Sequence, residues 1–376
     1  MQNRQGLKIA VIVNDMSEVN IDAGLIEQGG NFSRTEEKLV ELSNGCICCT
    51  LREDLLIEVE KLAKQGDIDY LVIESTGISE PVPVAQTFSY IDEELNIDLT
   101  RFCQLDTMVT VVDANRFWTD FRSGDSLLDR KEALGEEDER EIADLLIDQI
   151  EFCDVLILNK CDLVQPNQLE QLESVLRKLQ PTARIIQSTQ AKVDPSEILH
   201  TGLFDFERAS ESAGWLKELT AGPEAIRQKQ KSMGLVRSST SAIFLYMPSA
   251  LLSGDSMPEE IVRAKGIVWC GTHHDVALTF SQAGTSVQLE PVTYWVDSRS
   301  PEEQRKIMAA NPHLKEEWRA PYGDRHIKLV FIGVSLNQKK IEAELDACLM
   351  TEAERIGHWQ PGPDPFGWTI EEVSSN

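Results

Sequence analysis

Three thiols stand within four positions at Cys46, Cys48 and Cys49, in the run Gly45-Cys46-Ile47-Cys48-Cys49. Thiolates that close together converge on one borderline-soft ion such as Zn²⁺ and leave a fourth ligand position for a carboxylate, a His, a water or another protein. An open shell of that kind suits a site that passes its metal on. Asp15, Glu18 and Asp22 follow the first strand-like run, and Asp15 and Glu18 are the carboxylates placed to join the thiolate set. The alternative for each is a turn or cap residue. A dithiol oxidoreductase using Cys48 and Cys49 is a third reading of the cluster. That chemistry favours C-x-x-C at a helix start, whereas the spacing here is C-x-C-C.

A second constellation is Asn159-Lys160-Cys161-Asp162, which ends an apolar run. In an open α/β sheet ligands bind beyond the carboxyl ends of strands. A carboxylate at Asp162 can accept from the N1–H and exocyclic amine of guanine, Asn159 supplies an amide, and the stem of Lys160 packs on the ring. Ser188-Thr189, after the next strand, either completes that base pocket or is a plain polar turn. A third, Glu74-Ser75-Thr76-Gly77, also follows an apolar strand. Glu74 can hold Mg²⁺ or its waters while the Gly77 N–H faces a γ-phosphate, so that these two would carry the catalytic step. The same residues also suit a helix N-cap made by Ser75 or Thr76. Cys270, His273 and His274 lie within five positions and offer a second metal locus, or a solvent-facing turn.

Elements that could position these groups are legible in the hydrophobic pattern. Short β-branched runs at 7–13, 69–73, 108–112, 155–158 and 183–186 alternate with amphipathic stretches, which predicts a mostly parallel sheet covered by helices on both faces. Residues 138–152 show helical spacing, with Ile142, Leu145, Leu146 and Ile150 on one stripe and acids opposite. A polar stretch, 207–240, reads as a linker. Beyond it, strand-like runs at 242–247, 267–270, 276–280, 287–290 and 328–333, with helical stretches near 301–310 and 339–349, predict a smaller α+β domain with an antiparallel sheet. Trp269, Trp295, Trp318 and Trp368 read as its core, and Cys103, Cys153, Cys161 and Cys348 as scattered structural thiols.

Composition narrows the function classes. The 376 residues suffice for two domains, and no apolar run approaches the roughly 18 residues of a membrane helix. Residues 1–6 lack a signal peptide's apolar core, so the compartment reads as cytoplasmic and the eight cysteines as thiols or ligands rather than disulfides. A formal charge of −27 with no segregated basic patch argues against nucleic acid. The acidic run Glu136-Glu137-Asp138-Glu139 reads as a solvated helix start.

Residues 12–22, 41–50, 74–77 and 159–162 stand in the order and spacing of the CobW-like (CobW/HypB/UreG) metallochaperone GTPases, and the chain resembles most their YciC-type zinc chaperone branch. Residues 263–269, 281–284 and 317–325 resemble the family's C-terminal domain. The resemblance implies a P-loop-NTPase-like GTPase domain over 1–206, a linker over 207–240, and the C-terminal α+β domain over 241–376. It implies a GTP- and Mg²⁺-dependent chaperone or insertase that binds Zn²⁺ or a related divalent metal at CxCC and delivers it to a client metalloprotein. It leaves room for a homo-oligomer. Two features depart from the family. The chain contains no G-x-x-x-x-G-K-[ST] and no Gly-Lys dipeptide at all. The family's first strand and phosphate loop would then lie upstream of Met1, and a nucleotide-independent zinc-binding or regulatory protein stands as the alternative. Second, the family's Arg-Pro-Phe-His-Pro-type stretch is absent between Ser241 and Gly266, where the segment reads as shortened.

Overall fold

The computed structural model describes residues 8–14, 37–42, 52–65, 68–75, 77, 79–88, 91–92, 97–130, 140–210, 234–239, 260–271, 273–312 and 314–349. The chain divides into two compact units, Met1–Glu170 with Thr182–Ser212, and Gln171–Pro181 with Ala213–Asn376.

The first unit is α/β. Strand β1 (Ile9–Asn14) pairs in parallel with β2 (Glu37–Leu42) on one side and β3 (Tyr70–Glu74) on the other. Helix α1 (Arg52–Gln65) leads into β3, and α2 (Pro81–Thr87) follows it. Ala10 and Ile12 of β1 are buried in one cluster with Leu56, Val59 and Leu62 of α1 and Val84 of α2. The spacing of the α1 residues, i, i+3 and i+6, puts them on the stripe a helix turns toward a sheet. After a short antiparallel pair, β4 (Ile91–Asp92) with β5 (Ile97–Asp98), come β6 (Val109–Asp113), α3 (Phe117–Phe121), α4 (Leu127–Arg130) and α5 (Ile142–Glu151). Then follow β7 (Val155–Asn159), α6 (Pro166–Leu179), β8 (Arg184–Gln187) and α7 (Phe206–Ser210). Strands β6, β7 and β8 form a second three-stranded parallel sheet in that order. Val155, Leu156, Ile157 and Leu158 are all buried, as a strand covered on both faces requires.

Polar ties join the two sheets. The Tyr70 hydroxyl donates to Asp106, whose carboxylate also accepts the backbone N–H of Thr201 at 3.0 Å and of Gly202 at 2.7 Å. Arg140 pairs with Glu80 at 2.8 Å. Helix α5 differs from its predicted stripe in one respect. Ile147 is buried along with Leu145 and Ile150, and so are Asp144 and Glu151, acids expected to face solvent. Helix α6 buries Leu172, Val175, Leu176 and Leu179, the i, i+3, i+4, i+7 set of an amphipathic helix.

The second unit is built on a five-stranded antiparallel sheet. Its strands are β9 (Gly234–Ser239), β10 (Ile261–Val268), β11 (Val276–Ala283), β12 (Ser286–Tyr294) and β13 (Ile327–Gly333), arranged β12-β11-β10-β13-β9. Helices α8 (Pro301–Ala310), α9 (Leu314–Glu317) and α10 (Gln338–Asp346) complete it. Trp269 and Trp295 are buried among Phe280, Phe331 and Leu329, with Ile341 and Leu345 of α10 packed on them. Trp318 is half-buried, and Trp368 lies outside the described residues. Strand β9 falls inside the polar stretch read as a linker, which therefore cannot run to residue 240. Its in-register pairing with β13 makes a strand of a sequence with little intrinsic signal. The expected strand 242–247 and the acidic run 136–139 lie outside the described residues.

Candidate functional site

The site grows from the carboxyl end of β7. Four buried apolar residues anchor the strand, and Asn159 is its last member. The chain then turns sharply. Lys160 takes a left-handed conformation at φ 60° and opens a short 3₁₀ turn, Cys161–Leu163, on which Asp162 is exposed. Next to it, β8 ends at Gln187, paired with Leu158, and passes into Ser188 and Thr189. Gln190 and Ala191 are also left-handed, at φ 55° and 52°. Three non-glycine residues in that region, at a cost of roughly 1 kcal/mol each, mark a segment whose shape its surroundings impose.

Asn159 supplies much of that imposition. Its Oδ1 accepts the Ser188 hydroxyl at 3.0 Å and the Ala191 N–H at 2.9 Å. A backbone N–H can only donate, so the amide orientation is fixed: oxygen toward the β8 loop, Nδ2 left as the outward donor. Cys161 N–H donates to Ser188 O at 3.2 Å, and Ser188 N–H to Leu158 O at 2.8 Å. The structure thus brings Asn159, Lys160, Asp162, Ser188 and Thr189 into one assembly of two loops. Ser188 is buried and serves the scaffold, while Thr189 and Gln190 are exposed.

One member was missed in the sequence. Asp113 ends β6 opposite Asn159 in the ladder, and its Oδ2 accepts from Lys160 Nζ at 2.6 Å. Its Oδ1 accepts the N–H groups of Asn115 at 2.9 Å and Arg116 at 3.2 Å. Partial burial works against its charge, but the Lys160 bond and the two amides outweigh that and hold the carboxyl below the usual range. The available signal was a carboxylate closing an apolar strand, the same feature that drew attention to Glu74.

Glu74 closes β3 and is exposed. The segment after it is clasped by α5. Gln149 Nε2 donates to the carbonyls of Gly77 at 2.8 Å and Ser79 at 3.0 Å, while the Gln149 backbone carbonyl accepts the Thr110 hydroxyl at 2.7 Å. A Cβ at Gly77 would meet nothing within 4 Å, so the fold does not itself require glycine there. The capping alternative fails for Ser75, because α2 starts at Pro81 with Glu80 as its N-cap. Thr76 lies outside the described residues.

So do the metal candidates Cys46, Cys48, Cys49, Asp15 and Glu18. Cys270 is buried, with its carbonyl accepting the His273 N–H at 3.2 Å in a turn, and the His274 ring lies 5.2 Å from that of Trp269. Among the described residues no three His, Cys, Asp or Glu side chains are grouped to hold a metal ion. None of the described helices is long and apolar enough to cross a membrane.

Residues 1–187 match the CobW/HypB/UreG nucleotide-binding domain, and residues 248–349 match the cobalamin synthesis protein CobW C-terminal domain. The zinc-regulated GTPase metalloprotein activator 1 of Dictyostelium discoideum is 42% identical over 380 residues, 97% of this chain and 79% of that relative. The zinc chaperone CobW of a Sinorhizobium species is 29% identical over 210 residues, 54% of this chain and 57% of its own. A solved structure of the Zn(II)-bound YjiA GTPase from E. coli is 17% identical with a TM-score of 0.36, over 90% of this chain and 98% of that one. The extent and identity of the Dictyostelium match, with both domains matched in order, place the chain in the CobW/HypB/UreG family.

Proposed function

We propose that this chain is a GTP-dependent chaperone for zinc or a related divalent metal, acting in the cytoplasm and passing its metal to a client metalloprotein. The observation that carries the nucleotide half is the double engagement of Asn159 Oδ1, which leaves Nδ2 as a donor at the strand end that leads into the turn carrying the exposed Asp162. That donor set fits guanine: an amide N–H for the ring acceptors, and a carboxylate for N1–H and the exocyclic amine. Lys160 would lay its stem on the ring, and the exposed Thr189 would border the base from the β8 loop. At the other strand end, Glu74 would hold Mg²⁺ through its waters and Gly77 would admit the close approach of a phosphate. Bound Mg²⁺ would supply charge neutralisation at the phosphates.

Zinc is cargo in this reading, held by Cys46, Cys48 and Cys49 with Glu18 and Asp15 as the carboxylate candidates for the same shell. The supports are the C-x-C-C spacing, family membership and the likeness to the zinc-regulated activator of Dictyostelium discoideum and the zinc chaperone of a Sinorhizobium species. The proposed organisation is a GTPase domain in 1–206 and a C-terminal domain that takes in β9 and so begins no later than Gly234. A nucleotide-independent zinc protein is the competing reading, favoured by the lack of a Gly-Lys phosphate loop in this sequence.

Two measurements test the proposal. Chelator competition on reduced protein should show one tightly held Zn²⁺, with affinity falling at acid pH as thiolates protonate, and at least tenfold weaker binding in Cys48→Ser or Cys49→Ser. Unchanged affinity in both variants refutes the metal site. For the base, Asp162→Asn should move preference from guanine toward xanthine. Affinities for GMP, GDP and GTP should differ by less than about tenfold in this chain, since no P-loop sequence is present to hold the outer phosphates. Failure to discriminate guanine from adenine nucleotides would favour the nucleotide-independent reading.

A further inference from the structure

The base-reading turn is held from two sides, and only one of them is the β8 loop. On the other, Asp113 stands on the ladder rung opposite Asn159 and takes the Lys160 ammonium at 2.6 Å. We propose that Asp113 is a positioning residue for base recognition, acting through Lys160; this rests on the guanine reading of residues 159–162.

The argument starts from what Lys160 must do. Its four-carbon stem covers the base only if it lies in one direction, yet a lysine side chain free in water samples many rotamers. Lys160 leaves the backbone from a left-handed residue, and its far end is fixed on Asp113 Oδ2. The anchor does not itself swing, because Oδ1 is locked by the amides of Asn115 and Arg116. Lys160 is 48% and Asp113 25% exposed at the side chain. A pair that open to water adds little to fold stability. What it can do is set the stem in place before a ligand arrives, so that binding forfeits less side-chain freedom. Asp113 reaches the base only through Lys160, so it governs how tightly a base is held and not which base is chosen.

Guanosine and xanthosine are suitable probes, since neither carries a phosphate on which the Asp113 charge would act directly. Binding is read by saturation-transfer NMR titration of the full chain. Asp113→Asn keeps an oxygen for the Asn115 and Arg116 amides and should weaken guanosine binding roughly three- to tenfold, with the guanosine-to-xanthosine ratio unchanged. Lys160→Met should weaken it comparably, and the double variant should bind no worse than Lys160→Met alone. Asp113→Glu, which retains the charge, should recover part of the loss. Additive losses, unchanged binding in Asp113→Asn, or a shifted ratio in that variant would overturn the role given to Asp113. Failure of the base reading looks different. In that case the unaltered protein shows no preference for guanosine, or Asp162→Asn leaves the preference where it was, and the positioning role falls with it.

Discussion

Asp106 shows how a single carboxylate can carry structural weight far from the chemistry. It receives the Tyr70 hydroxyl and the Thr201 and Gly202 amides, tying the start of β3 to the segment before α7. Partial burial opposes its charge, but those donors prevail and hold its pKa below the ordinary value. A depressed carboxyl contributes stability that is complete above its unfolded pKa, near 4, and is lost as pH falls through the folded value. Asp106→Asn should therefore cost about 1–3 kcal/mol in urea melts at pH 7, and the difference from the unaltered protein should shrink below about pH 4. A difference that stays constant down to pH 2 would show that the ionised form is not what matters. Cys153 is a second residue with a clear expectation. Burial first, and then the neighbouring Asp154, push its thiol up to about 12, so it should resist iodoacetamide in the folded protein at pH 8 and react on denaturation. At this scale the sequence showed Asn159, Lys160 and Asp162, because a polar cluster ending an apolar run is a local signal. Gln149 was not legible, since its partners Gly77 and Ser79 are about 70 positions away and meet it only through the fold.

Among the elements, those buried on both faces were easiest to read. Strand β7 announces itself as an uninterrupted apolar run. Strand β8, only partly covered, was still marked by Ile185 and Ile186, whereas for β10 the expected run 267–270 meets only the strand's last two residues, Arg263 and Lys265 having broken the apolar pattern before them. Strand β2, Glu37-Lys38-Leu39-Val40-Glu41-Leu42, was not recognised, since its charges dilute the apolar pattern and its pairing with β1 defines it instead. The buried acids of α5 were illegible for a related reason: helical period places a residue on a face without telling what waits opposite. Strand β10 carries a sharper prediction. A Cβ at Gly266 would collide with the Lys328 carbonyl of the paired strand, and the obstruction is backbone that cannot turn aside. Gly266→Ala should destabilise the second unit by about 2–4 kcal/mol, seen as a lowered thermal midpoint. A midpoint within a degree of the unaltered protein would mean that β10 and β13 can separate locally at no cost.

For the whole molecule the dominant quantity is a formal charge of −27. Self-repulsion of that size opposes compactness and is screened by salt, so the thermal midpoint should rise between about 10 and 150 mM NaCl. A midpoint that falls over the same range would show that attractive pairs such as Arg140 with Glu80 outweigh the repulsion. The same charge gathers divalent cations loosely over the surface, so only the salt-resistant part of zinc binding should report the thiolates. The sheet order of the second unit carries a consequence for synthesis. Strands β10, β11 and β12 are made in the order in which they pair, so each finds its neighbour as it emerges. Strand β9 is made before all of them, yet its partner β13 is made last. At ribosomal speeds of about 5–20 residues per second, β9 waits roughly 5–20 seconds for the strand that secures it. During that interval its open edge is the part of the nascent second unit most in need of a chaperone's cover, and chains released before Gly333 would leave it unpaired with β13 for good.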